Sequence, residues 1–333
     1  MKTKGITKEN FEKLFAALAS KGFRVVAPVK VHDLVTFQEV KDASGVWLEE
    51  INTKKSIKEF FFPATECILR YRWSEDGTMV RDVAPSAPET VIIGARPCDA
   101  SSLPVMDALF TWDYNDAFYL RRRRNTTVVS IACNRADEYC FCTSVGGGPH
   151  NLSGSDVMLS ATDSGYLVEV VTEKGEEMLA AAPELFSDSA GKPKPYADVP
   201  AKFDLEKVKP WLEKNFDSPL WEEISYKCLQ CGVCTYLCPT CHCFDIQDEA
   251  HRTGGIRVKN WDGCQFALFT KHTSGHNPRP TQAARWRQRV QHKFNYYVER
   301  FGTVSCVGCG RCIRHCPVDM NITDHLRRIA EAK

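Results

Sequence analysis

Two stretches of the chain repeat one cysteine spacing: Cys228-x2-Cys231-x2-Cys234-x3-Cys238-Pro239 and Cys306-x2-Cys309-x2-Cys312-x3-Cys316-Pro317. Three cysteines at three-residue intervals wrap a tight loop around three corners of an iron–sulfur cubane. With this spacing the fourth cysteine points away and serves the other core. The expected ligand sets are therefore crossed. Cys228, Cys231, Cys234 and Cys316 take one [4Fe–4S] cluster, and Cys306, Cys309, Cys312 and Cys238 take the second. Gly232, Gly308 and Gly310 let the backbone close on the clusters. Pro239 and Pro317 stand where a helix would begin. Zinc is the other reading of Cys-x2-Cys pairs, but a tripled run that occurs twice weighs heavily against it.

The chain holds 16 cysteines in 333 residues, with none before Cys67 and none between Cys142 and Cys228. With no apolar leader in Met1-Lys2-Thr3-Lys4-Gly5 the expected setting is cytoplasmic. Disulfides are disfavoured there and metal or redox chemistry is the default. Cys98, Cys133, Cys140 and Cys142 form a second constellation, with Gly146-Gly147-Gly148 directly after it. They read either as a third [4Fe–4S] site or as buried thiols beside a glycine turn. The glycines match no dinucleotide fingerprint. Cys241, Cys243 and Cys264 read as packing beside the first run, as spare ligands, as a partner-facing redox thiol or, with His242, as an extra metal site. Cys67 reads as a buried thiol.

Length implies two domains, and the cysteine distribution suggests a division into 1–215 and 216–333. Thr7 caps an expected helix with Phe11, Leu14, Phe15 and Leu18 on one face, stopped at Gly22. A strand over 23–28 should end at Pro28. The β-branched runs Thr90–Gly94 and Thr126–Ile131 suit strands buried on both faces, joined through a helix over 103–110. If parallel, they deliver Cys98 and Cys133 to one carboxyl edge. Residues 157–175 read as a hairpin and 189–200 as a surface loop. Helices are expected over 280–302, on Trp286, Val290, Phe294, Tyr297 and Phe301, and over 323–332. The expected fold is thus an α+β or α/β domain followed by an all-α two-cluster ferredoxin domain.

Lys plus Arg is 43 and Asp plus Glu is 42, a net charge of +1. This argues against a nucleic-acid-coating protein. No apolar run reaches the ~18 residues of a membrane span. Arg121–Arg124 reads as a dock for an acidic partner or as a solvated face, and Arg279, Arg285, Arg287, Arg289 and His292 as a similar surface. No nucleophile elbow, P-loop or paired-carboxylate pattern is present, so no catalytic residue is expected. The chain reads as a carrier of electrons.

Arg96-Pro97-Cys98-Asp99, Cys140-Phe141-Cys142-Thr143-Ser144, residues 238–245 (CPTCHCFD), 261–266 (WDGCQF) and 274–280 (SGHNPRP) together resemble one family. It is the iron–sulfur beta subunit of cytosolic sulfhydrogenases, which is similar to the A subunit of anaerobic sulfite reductase. The resemblance implies a relay in an anaerobic oxidoreductase complex. It links a ferredoxin–NADP-reductase-like subunit, carrying FAD and [2Fe–2S], to a catalytic hydrogenase or sulfite reductase subunit. It also favours the third cluster at Cys98, Cys133, Cys140 and Cys142, and places Cys241, Cys243 and Cys264 in the family pattern without a role. Two alternatives remain at this point. One is a relay in a heterodisulfide-reductase-like bifurcating complex; the other is a catalytic subunit acting on a sulfur or disulfide substrate.

Overall fold

The computed structural model describes residues 2–189 and 191–332. Ala190, in the expected loop 189–200, lies outside them, and residues 191–200 form no helix or strand. Eleven strands are formed: β1 (Lys2–Thr7), β2 (Arg24–Val31), β3 (Leu34–Glu39), β4 (Thr65–Ser74), β5 (Gly77–Asp82), β6 (Thr90–Ala95), β7 (Thr126–Ile131), β8 (Val157–Ala161), β9 (Gly165–Val170), β10 (Phe244–His251) and β11 (Gly254–Trp261). Seven make one sheet in the order β1-β9-β8-β7-β6-β2-β3, and four make a second, β10-β11-β4-β5.

In the first sheet β2, β6, β7 and β8 run parallel, and β1, β9 and β3 add antiparallel edges. Every residue of β6 and β7 is buried. Alternate side chains feed two cores, as the period of two requires. Val25, Val91, Ile93 and Val129 meet the helix Lys8–Ser20, whose Phe11, Leu14, Phe15 and Leu18 are all buried. Val26, Ile92 and Val128 meet Leu103, Met106 and Phe110 of the helix Ser102–Phe110. Thr7 accepts from Asn10 N–H as the N-terminal cap. Pro28 does not end its strand; β2 continues through it to Val31. The parallel pairing of β6 with β7 carries Cys98 and Cys133 to one edge of the sheet.

The expectation of an α/β domain followed by an all-α cluster domain is overturned. Between the two cysteine runs the chain lays down the antiparallel hairpin β10–β11, and β11 pairs with β4 from the first quarter of the sequence. A large second sheet therefore joins the region holding the cysteine runs to the N-terminal part. The physical reason is long-range pairing. The whole of β10 is exposed, and its only apolar residues, Phe244, Ile246 and Ala250, are too few to mark a buried strand. It is held by backbone bonds to β11. The register Lys259↔Glu66 and Val258↔Cys67 sets a buried ion pair of 3.2 Å between Lys259 and Glu66. Cys67 is half-buried on β4 rather than enclosed.

Around the cysteine runs the core is helical: Trp211, Leu212, Trp221, Trp286, Val290, Phe294, Leu326 and Ile329 pack together. The helix expected over 280–302 is formed as Gln282–Gln291, a π-helical turn His292–Tyr296, and Tyr297–Phe301. Pro239 and Pro317 open turns, not helices.

Candidate metal centres

The two runs fold into the same loop twice. Gln230 and Gly308, at equivalent positions, have φ of +60° and +64°, and Gly232 and Gly310 have +74° and +75°. Left-handed backbone is what lets each loop turn its cysteines inward. A Cβ on Gly308 would run into the backbone of Phe141 and Cys142, and one on Gly310 into Tyr139. The second run is thereby pressed against the third cysteine set, and Phe141 N–H donates to Gly308 O at 2.9 Å.

The sulfurs are interleaved. Burial raises the Cys228 thiol, and the neighbouring Cys231 and Cys316 raise it further. Burial likewise raises Cys306, Cys309 and Cys312, and Cys238 adds to the rise in each case. Cys316 thus stands near Cys228 of the first run, and Cys238 near Cys306, Cys309 and Cys312 of the second as well as near Cys234 of its own. Burial pushes Cys234 up to about 12 and Cys306 to about 11. As bare thiols these groups hold their protons at neutral pH, so metal loading must release protons.

Three buried cations point at this sulfur-rich centre, and among the described residues none has a carboxylate partner. Lys293 is 3% exposed and donates to Cys238 Sγ (3.4 Å), Thr240 Oγ1 (3.0 Å) and Ser305 O (2.6 Å). It sits in the π turn, a distortion frequent at functional sites. Arg289 is 2% exposed and donates to Cys241 Sγ (3.4 Å) and Cys234 O (2.8 Å), while its Nε is buried with no partner. Lys58 donates to Cys241 O (3.0 Å) and Tyr236 O (3.4 Å) and lies over the Trp261 ring. Burial lowers Lys58 to about 8. An unpaired buried charge costs several kcal/mol. Anionic polycysteinyl clusters would neutralise all three, and an orphaned Arg289 Nε beside Cys234 fits a sulfur acceptor. The residues present therefore fit the group. Sequence reading placed Arg285 and Arg289 on a surface, but both are buried. Their signal was spacing: Arg285, Arg289 and Lys293 recur every four residues beside the apolar stripe.

The third set lines one cavity: Cys98, Cys133, Cys140 and Cys142, with Cys309 of the second run in the same wall. Burial raises all four thiols, Cys133 and Cys140 to about 11. Cys140 Sγ donates to Asp137 at 3.3 Å, and Asp137 pairs with Arg314 of the second run at 2.6 Å. Arg311 is fully buried and pairs with Asp99, the residue after Cys98, at 2.8 Å. Sequence reasoning missed that pair. Another cavity lies between β2, β3 and the helix Ala117–Arg124, and no cysteine lines it. In the four-arginine run, Arg122 pairs with Glu66 and Arg123 with Asp107 at 3.1 Å, so half of that run is used internally.

Residues 227–320 match the model of the 4Fe-4S dicluster domain. The chain is also 31% identical to sulfhydrogenase 2 subunit beta of Pyrococcus furiosus, over 98% of this chain and 96% of that one. The chain belongs to the sulfhydrogenase beta-subunit family. No solved structure matches it. As a member of that family with a dicluster domain, it is an iron–sulfur protein of the electron-transfer class. No helix among the described residues is long and apolar enough to cross a membrane.

Lys293 then has a measurable consequence. A cation on a ligand sulfur favours the more negative, reduced state. Lys293→Met should lower one midpoint potential by roughly 60 mV, a tenfold change in a one-electron equilibrium. Redox titration followed by electron paramagnetic resonance (EPR) checks this; an unmoved potential would remove Lys293 from the electrostatic account.

Proposed function

We propose that this chain is a relay subunit that sets three one-electron sites in a row. Cys228, Cys231, Cys234 and Cys316 hold the first [4Fe–4S] cluster, Cys306, Cys309, Cys312 and Cys238 the second, and Cys98, Cys133, Cys140 and Cys142 the third. When bound, such clusters supply reversible one-electron carriers. The observation that carries the reading is the set of three carboxylate-free buried cations beside the cysteine runs, Lys293 on Cys238 Sγ, Arg289 on Cys241 Sγ and Cys234 O, and Lys58 on Cys241 O.

The order follows from contacts. Cys309 shares a wall with the third set, Cys238, assigned to the second cluster, neighbours Cys234, assigned to the first, and Cys231 is the one exposed cysteine. Tyr226 and Leu229 are exposed beside it, so the first site is the port to another redox subunit. By the name of its relative, the partners are subunits of a hydrogenase complex. A flavin subunit of the ferredoxin–NADP-reductase type, with FAD and [2Fe–2S], would lie at one end and a catalytic hydrogenase or sulfite reductase subunit at the other, in an anaerobic cytoplasm. The chain's own residues bury the carriers, exclude water and fix their charge.

Cys98→Ala tests the third site. It should remove about four irons per chain and leave the EPR signals of the other two clusters in place. Unchanged iron would reduce Cys98, Cys133, Cys140 and Cys142 to structural thiols. Turnover of a sulfur substrate by the isolated chain with an artificial donor would replace the relay with catalysis.

A further inference from the structure

Three cysteines outside these sites, Cys241, Cys243 and Cys264, gather beside the first run. Cys243 immediately precedes β10. Asp262, just past β11, donates its N–H to Cys243 O at 3.0 Å, so the hairpin ladder continues one step beyond Phe244↔Trp261. The chain then turns at Gly263, where a Cβ would meet Thr235 Oγ1 at 2.7 Å. The turn brings Cys264 over Cys243. The two side chains are hydrogen-bonded to each other, and the Cys264 N–H also reaches the Cys243 sulfur. Cys264 is buried and Cys243 half-buried. Gln265, fully buried, donates to Cys264 Sγ at 3.6 Å and to Arg285 O at 3.0 Å, which fixes the sulfur in place.

Cys243 and Cys264 belong to neither repeated run, and their side chains are in contact. A touching pair of thiols at the open end of a hairpin has one simple chemistry.

We propose that Cys243 and Cys264 form a reversible dithiol–disulfide pair, a two-electron site beside the one-electron sites. Reduction breaks the Sγ–Sγ bond and takes up two electrons and two protons to give two thiols; oxidation is the reverse. The reductant is a low-potential one-electron donor acting twice, of the class of a reduced iron–sulfur centre. That donor assignment rests on the relay reading, but the pairing itself does not. The neighbouring Cys234 couples the pair to the first cysteine run.

The test uses the full chain prepared without oxygen. One sample is reduced with dithionite and one oxidised with thionine. Each is quenched in acid and unfolded in N-ethylmaleimide, then reduced and labelled with iodoacetamide. Peptide mass spectrometry should find a Cys243–Cys264 linkage in the oxidised sample, and maleimide on both cysteines in the reduced one. Cys243→Ser should leave Cys264 with maleimide in both states, with iron content unchanged. Maleimide on both parent cysteines at every potential would overturn the proposal. So would loss of about one cluster's iron in Cys243→Ser or Cys264→Ser, which would make them ligands. Should the parent chain bind no iron, the relay reading fails alone, because linkage in a glutathione redox buffer still reports on the pair.

Discussion

Cys316→Ala is expected to abolish the cluster held by Cys228, Cys231 and Cys234, which lie some 80 residues earlier in the chain. About four irons per chain should be lost, together with one of the EPR signals. The same signal should vanish in Cys228→Ala, because Cys316 stands beside Cys228. If the two variants abolish different signals, ligation is local and the crossed assignment fails.

The second large effect is on stability. Arg311 and Asp99 are 0% and 1% exposed and hold the second cysteine run against the carboxyl end of β6. Arg311 also donates to Thr53 O at 2.8 Å, so three distant segments meet on one guanidinium. Asp99→Ala removes the countercharge and leaves a buried cation, which costs about 3–5 kcal/mol. Urea denaturation of anaerobic protein, followed by the fluorescence of the buried Trp211, Trp221 and Trp286, should show the midpoint fall accordingly. The double variant Asp99→Leu with Arg311→Met should recover much of the loss, since an apolar pair needs no compensation. A single variant as stable as the parent would show that the pair contributes nothing to joining the two regions.

What could be read in the sequence was whatever is encoded locally. The repeated cysteine runs declare their loop geometry through spacing, and β6 and β7 declare burial through β-branched residues. The Thr7-capped helix declares itself through periodicity. The hairpin β10–β11 was not legible because Phe244–His251 is exposed, polar and stabilised by pairing that ends on β4. β1 was missed for a similar reason: it is an edge strand whose partner, β9, lies over 150 residues away. Charged residues default to the surface in any reading of one sequence. Arg289, Lys293 and Lys58 break that default because the group that compensates them is inorganic and leaves no residue in the chain. The four cysteines of the third set could be gathered from the strands before them. Their contact with Gly308 and Gly310 could not, since it depends on how one run docks against residues 139–142.

The central claim is that interleaved cysteines enclose iron–sulfur cores. Iron and acid-labile sulfide analysis with Mössbauer spectroscopy, on protein prepared without oxygen, tests it most directly. About twelve irons per chain are expected, all in four-iron clusters. About four irons or fewer, or zinc in their place, would contradict it.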